Sequence, residues 1–223
     1  MKVSAYIIAG GEGKRFGRPK WSVELGGEPM IGRIARALSA IAEVGGVTVV
    51  ARRSIEVEGL QAIPDSPPAG SDEAGGPLVG LYTALKDTES DWLIAAACDL
   101  PFVSDELFKR LLTECSDDLD AVVPVQPDET PQPLCAVYRV AACLPAAEDA
   151  IADGRLSMFG LLDRVRTRLL PFEALAALPG SERFFFNINT PEDLAKAREM
   201  IRTGRLPNPN PPVGRIRNHG AVS

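Results

Sequence analysis

The sequence predicts a three-layer α/β fold, a mostly parallel sheet covered by helices on both faces. Three observations predict it. Apolar runs rich in β-branched residues alternate with stretches of helical periodicity, the pattern of strands joined by crossover helices. A glycine-rich, cationic loop follows the first run directly, at the edge where an open α/β sheet takes its ligands. The last periodic stretch carries helix start and stop signals at its two ends, so a well-defined helix is expected there.

In chain order, Val3 to Ile8 reads as the first strand. Met30 to Ile41 is expected to be helical because Ile31, Ile34, Ala35 and Leu38 fall on one face. Val47 to Ala51 is the next strand. Pro64 to Gly76 is rich in Pro, Gly and Ser and longer than a simple connection needs, as functional loops often are; a helix from Pro77 to Leu85 follows. Trp92 to Ala97 is a strand, and Ser104 to Leu112 a helix with Asp105 and Glu106 in its first turn, where the helix dipole favours anions. Ala121 to Val125, Leu134 to Tyr138 and Phe184 to Ile188 are the remaining expected strands. Thr190-Pro191-Glu192-Asp193 supplies an N-cap, a proline at the first helical position and a capping-box acid, and Gly204 a stop, which gives a helix from Pro191 to about Arg202. Residues 1–203 are thus expected to form one domain. Residues 204–223 hold Pro207, Pro209, Pro211 and Pro212 without periodicity and are expected to be a flexible tail.

Composition narrows the classes of function. Apolar residues are 45% of the chain and charged residues 24%, the balance of a globular protein that buries a core. The start runs straight into glycines, with no long apolar stretch or small-residue cleavage site, and no apolar run is long enough to cross a bilayer. The expected location is cytoplasmic, with no membrane partner. Cys98, Cys115, Cys135 and Cys143 are irregularly spaced and His219 is the lone histidine, so the cysteines are expected to be small core residues rather than zinc ligands. A net charge of −6 argues against nucleic acid as a partner, yet residues 11–20 place Lys14, Arg15, Arg18 and Lys20 against Glu12 alone. Such a local cluster in an acidic chain points to one specific anionic ligand.

That cluster sits in Ala9-Gly10-Gly11-Glu12-Gly13-Lys14-Arg15-Phe16-Gly17-Arg18-Pro19-Lys20, where four glycines and four cations share one loop. Glycines let successive backbone N–H groups turn toward an anion, and the combination suits a triphosphate. It is not a Walker A loop: Arg15 stands where that motif has Ser or Thr, and Ile8 takes its first glycine position. It is not a dinucleotide fingerprint either, since Phe16 replaces the third glycine. Asp99 closes the run Trp92 to Ala97, so its carboxylate is expected beside the glycine loop, where Mg²⁺ bridges carboxylate and phosphates. Lys20 and Arg15 are the cations expected to neutralise charge that builds on those phosphates.

Together with Pro64-Asp65-Ser66, Gly75-Gly76-Pro77-Leu78-Val79-Gly80-Leu81, Cys98-Asp99-Leu100-Pro101-Phe102 and Asn187-Ile188-Asn189-Thr190-Pro191-Glu192-Asp193-Leu194, in that order, the loop resembles the signature of the molybdenum cofactor guanylyltransferase group of nucleotidyltransferases. The resemblance implies their Rossmann-like fold and transfer of GMP from GTP to molybdopterin with Mg²⁺. It implies nucleotide binding by Ile8, Ala9, Gly10, Gly11, Lys20, Asp65, Gly76, Pro77, Leu78 and Asp99, with Arg15, Lys20 and Asp99 catalytic and Asp99 the metal ligand. Asn187 and Asn189 are the implied acceptor contacts, and a molybdoenzyme or its chaperone the implied recipient of the product. The sequence departs from the family pattern in three places. Gly17-Arg18-Pro19-Lys20 lacks the aspartate common before the lysine, a spelling also seen in cytidylyl-transferring relatives. Cys135 stands where histidine is frequent, and Pro68 to Ala74 lengthens the second loop. Two alternatives therefore stay open: a cytidylyl or other nucleotide transferase with a different phosphorylated acceptor, and a non-catalytic binder of nucleotide or cofactor.

Overall fold

The structure is a computed structural model that describes residues 1–10, 16–41, 43–71 and 75–204. The described residues form a seven-stranded sheet in which β1 (Val3–Ala9), β4 (Val44–Ala51), β5 (Gln61–Pro64) and β6 (Trp92–Ala97) make a parallel block. The remaining strands are β7 (Ala121–Pro124), β8 (Cys135–Arg139) and β9 (Thr167–Leu170), and the spatial order is β5-β4-β1-β6-β8-β7-β9. β8 runs antiparallel to both β6 and β7, and β9 pairs parallel with β7. A separate hairpin, β2 (Glu24–Leu25) and β3 (Glu28–Pro29), turns at Gly26 and Gly27, both at positive φ as the favoured two-residue hairpin turn requires.

Side chains of the central strands alternate between two apolar layers. Ala5 and Ile7 of β1 face the layer that holds α1 (Met30–Ser39) and α3 (Asp105–Leu112), whereas Tyr6 and Ile8 face the layer that holds α2 (Pro77–Asp87), α4 (Val140–Ala152) and α5 (Met158–Leu162). Burial on both faces explains why these strands read as continuous apolar runs. A third cluster seats α6 (Pro191–Thr203) through Leu194 and Ala197 against Val23 and Leu25. Its capping box forms as expected, with Asp193 N donating to Thr190 Oγ1 at 3.1 Å and Thr190 N to Asp193 Oδ2 at 2.9 Å, and Gly204 ends it at φ 66°. No helix among the described residues is long and apolar enough to cross a membrane. The tail expected beyond Gly204 lies outside the described residues.

One expected strand is corrected. Phe184 to Ile188 pairs with no strand; it follows a 3-10 turn at Ser181–Arg183, and its side chains separate to different clusters. Phe184 and Phe185 enter the α1/α3 layer, while Phe186 and Ile188 join the α6 cluster. Three consecutive phenylalanines cannot alternate in and out, so packing on successive side chains replaces strand pairing. The edge strand that forms instead is β9, with the polar spelling Thr167-Arg168.

Asp120 fastens that edge. Its buried carboxylate accepts from Arg166 N, Nε and Nη2 at 3.0, 2.9 and 2.7 Å. These hydrogen bonds hold the carboxyl below its ordinary value. The stabilisation is thus fully present above about pH 4 and is lost as pH falls through the lower folded-state value. Asp120→Asn is expected to lower Tm at neutral pH by roughly 5 °C, and thermal melts in increasing acid should show the difference from wild type shrinking.

Candidate active site

Topology makes one cleft, of about 520 Å³, at the C-terminal ends of β1, β4 and β6. Ile8, Ala9 and Gly10 line it where β1 ends, Val50 and Arg52 where β4 ends, and Cys98 and Asp99 where β6 ends. Because β8 is antiparallel, with Cys135 opposite Ala96, the residues just before β8 reach the same edge, and Gln132, Pro133 and Leu134 close the cleft there. Backbone hydrogen bonds tie these exits together: Cys98 N donates to Ile8 O at 3.2 Å, and Ala97 N to Leu134 O at 2.6 Å.

The wall beside β1 and β4 is built from the second loop and the start of α2. Asp65 N donates to Ala51 O at 2.7 Å. The buried Thr83 hydroxyl accepts from Ser66 N and donates to Val79 O, both at 2.9 Å, so the loop is pinned to the helix. Gly76 enters α2 at φ 111°, in the region that favours glycine. Gly80 lets α2 lie directly on β1: a Cβ there would come within 2.8 Å of Ile8 Cγ2. The first-turn N–H groups of a helix have no intrahelical acceptor; α2 starts at the cleft wall, where Gly76 and Pro77 line it, and because Pro77 carries no N–H the free donors of that turn begin at Leu78. The Leu78 side chain is fully buried in the α2 layer and does not line the cleft, so what it presents on that side is its backbone. Burial raises the Asp65 carboxyl above its ordinary value against the pull of Arg52.

Asp99 is the point of convergence. Its Oδ2 accepts from Lys20 Nζ at 2.6 Å, and Lys20 Nζ also donates to Asn189 Oδ1 at 2.6 Å. Asn187, with its amide turned to donate, reaches Asp99 Oδ1 and Oδ2 at 3.0 and 2.9 Å. Ile188 N donates to Asp99 O at 3.0 Å, and Asp193, beyond its capping role, accepts from Asn189 N at 3.0 Å. The start of α6 therefore positions Asn189, and the Ile188 bond to Asp99 seats the segment that carries Asn187. The Lys20 side chain is 12% exposed and that of Asp99 22%, so the pair works in a partly dehydrated setting where charge counts for more than in water.

The structure thus brings together Lys20, Asp99, Asn187 and Asn189, and puts Ile8, Ala9, Gly10, Asp65, Gly76 and Pro77 on the walls of the cleft beside them. Gly11 and Arg15 lie outside the described residues. Sequence reading missed Arg52, Gly80, Thr83, Gln132, Ser157 and Phe159; of these, Gly80 lay within the Gly75 to Leu81 motif and Gln132 in the segment that ends at Cys135 and Ala136. Cys135 is fully buried in β8 and does not line the cleft. Burial pushes the Cys98 thiol up to about 12, which leaves it protonated and without the thiolate needed for covalent chemistry.

Solved structures share this fold. The chain superposes on molybdopterin-guanine dinucleotide biosynthesis protein A from Archaeoglobus fulgidus with a TM-score of 0.72 at 27% identity, covering 90% of this chain and 99% of that one. It superposes on the 2-C-methyl-D-erythritol 4-phosphate cytidylyltransferase of Thermus thermophilus with a TM-score of 0.67 at 19% identity, covering 91% and 100%, a likeness of fold alone. Fold and cleft define the class as a Rossmann-like nucleotidyltransferase. The family model for the MobA-like NTP transferase domain matches residues 5–167. A probable molybdenum cofactor guanylyltransferase of Pelotomaculum thermopropionicum is 37% identical, over 92% of this chain and 98% of its own length. The molybdenum cofactor guanylyltransferase of Desulfosudis oleivorans is 30% identical over the same shares. The chain belongs to the MobA-like NTP transferase family.

Proposed function

We propose that this chain transfers GMP from GTP to the terminal phosphate of molybdopterin, with release of pyrophosphate, in a Mg²⁺-dependent reaction. The observation that carries the reading is that Lys20 and Asn187 meet Asp99 at the cleft while Asn189 accepts from the same Lys20 ammonium; the relatives named molybdenum cofactor guanylyltransferase support the choice of substrates. An acceptor phosphate oxygen attacks the α-phosphorus, the bond from that phosphorus to the bridging oxygen breaks, and pyrophosphate leaves with the electron pair. The nucleophile is already an anion, so no histidine base is required. Lys20 holds a fixed positive charge where negative charge grows on the phosphates, and Asp99 and Asn189 fix the direction of its ammonium. Gly10, the described end of the glycine loop, lines the cleft where the phosphates would lie. The product then passes to a molybdoenzyme or its chaperone.

The residues present fit Mg²⁺. Among the described residues no group of three acidic, histidine or cysteine side chains could cage an ion, and Mg²⁺ characteristically takes one or two carboxylates, substrate phosphates and water instead. Asp99, already beside a cation in the form of the Lys20 ammonium, is the carboxylate that would hold it, with Asn187 alongside. When bound, the ion neutralises phosphate charge.

In this reading Asp65, which lines the cleft, chooses the base. A carboxylate accepts from two adjacent donors, which guanine offers on its Watson–Crick edge and cytosine does not. Calorimetry with GTP, CTP, ATP and UTP, each with and without Mg²⁺, tests this directly. GTP is expected to bind selectively and more tightly with Mg²⁺. Asp65→Asn should weaken GTP on the order of tenfold or more while leaving the other nucleotides nearly unchanged. A preference for CTP in the wild-type protein would refute the guanylyl assignment.

A further inference from the structure

The segments that carry the Asp99 constellation share a small apolar core of their own. The cluster that seats α6 is separate from the two layers on the sheet, and it draws on each of those segments. Phe16 and Val23 bracket Lys20 in the chain, Phe102 follows Asp99, and Phe186 and Ile188 bracket Asn187. On the far side of Asn187, Ile188 N donates to Asp99 O at 3.0 Å and ties its segment to the Asp99 turn. On the near side no backbone hydrogen bond among the described residues crosses to that turn; Phe186 N donates within its own segment, to Arg183 O at 3.0 Å. What crosses there is aromatic. The rings of Phe102 and Phe186 meet edge to face, with centroids 6.2 Å apart and planes at 67°, an arrangement that aromatic pairs prefer. The Arg183 guanidinium also stands over the Phe102 ring, 5.9 Å from its centroid, within the range of a cation–π contact. Phe102 is thus held twice by the segment that delivers Asn187.

The Asn187 amide reaches both oxygens of Asp99, at 3.0 and 2.9 Å, a two-point contact that a small sideways shift of either segment would break. We propose that Phe102 and Phe186 are positioning residues for the transfer: their ring contact sets the register of Asn187 on the Asp99 carboxylate, and with it the direction in which that carboxylate faces the cleft. The inference rests on the reaction proposed above, which gives Asp99 and Asn187 their work. Both rings are only partly buried, so their effect on turnover is separable from their share in the core. Phe186→Leu keeps an apolar side chain without the ring and leaves Ile188 N as the remaining tie between the two segments beside Asn187. Misplacing a group that orients the reacting parts by about 1 Å costs up to roughly 10²-fold in rate.

The test compares GMP transfer by wild type, Phe186→Leu and Phe186→Tyr, each with Asn187 intact and in an Asn187→Ala background. Phe186→Leu is expected to lower kcat at least about tenfold with KM for GTP nearly unchanged, and Phe186→Tyr, which keeps the ring, to restore it. In the Asn187→Ala background Phe186→Leu should cost no further rate, because the contact acts through Asn187; its effect on Tm should be equal in both backgrounds. Phe102→Leu should reproduce the loss, the double variant with Phe186→Leu should fall no further than either alone, and Phe102→Leu carries the test where Phe186→Leu does not fold. In the free protein, without nucleotide or metal, the NMR signals of the Asn187 side-chain amide, assigned by their absence from Asn187→Ala, should move in Phe186→Leu and stay in place in Phe186→Tyr. Wild-type kcat in a folded Phe186→Leu, an equal fall in kcat in both backgrounds, or unmoved amide signals overturns the positioning role and leaves the proposed reaction standing. Absence of transfer by the wild type refutes the proposed reaction instead, and the amide signals then decide whether the ring pair sets Asn187.

Discussion

Asp99→Asn is expected to lower kcat by on the order of 10³-fold or more without disturbing the fold. The substitution keeps the shape of the side chain and leaves the backbone carbonyl that accepts from Ile188 N in place. What it removes is the negative charge that faces Lys20 and would hold Mg²⁺. The two losses have opposite effects on binding. An unpaired Lys20 meets the triphosphate with its charge no longer offset, so GTP should bind at least as well as before when Mg²⁺ is absent. The gain in affinity on adding Mg²⁺ should disappear. Turnover with titrated Mg²⁺ and calorimetry with and without the ion check both, and near-normal activity of the variant would show that Asp99 is not the metal carboxylate.

Lys20→Met is the second large effect, with kcat/KM for GTP expected to fall by roughly 10²- to 10³-fold. Methionine fills nearly the same volume but carries no charge and leaves Asn189 Oδ1 and Asp99 Oδ2 without their shared donor. Lys20→Arg should rescue poorly, because a planar guanidinium cannot take the place of a compact ammonium held at 2.6 Å from two oxygens. The loss should fall on kcat more than on KM if Lys20 acts mainly on charge that develops during transfer. Steady-state kinetics on the three proteins resolve this.

The central block of the fold is legible because local and global signals agree there. Runs such as Trp92 to Ala97 are apolar throughout, both faces of the block are covered, and the caps of α6 were spelled out by Thr190, Pro191, Asp193 and Gly204. The antiparallel place of β8 was not legible, since strand direction depends on which neighbour a strand meets rather than on its own residues. Nor was the irregular path of Phe184 to Ile188, where aromatic composition suggested a strand and packing against two different clusters decided otherwise. β9, short and partly charged, gave no apolar pattern to read.

The candidate site divides in the same way. Lys20, Asp99, Asn187 and Asn189 stand in motifs, and the fold joins them over sequence separations as large as 169 positions. Thr83 and Gly80 act through contacts inside α2 and with β1, which a motif reading does not reveal. Phe159 stands in none of the sequence motifs and reaches the cleft lining only through the fold. Leu78 is the reverse case, a motif residue whose side chain serves the core.

The most direct test of the proposed reaction is a single-turnover experiment with purified protein, Mg²⁺, molybdopterin and GTP labelled at the α-phosphate. The label is expected in a guanine dinucleotide, with one pyrophosphate released per product, and CTP should not substitute. Bound GTP that yields neither pyrophosphate nor labelled dinucleotide under these conditions would contradict the nucleotidyl transfer to molybdopterin proposed for this cleft.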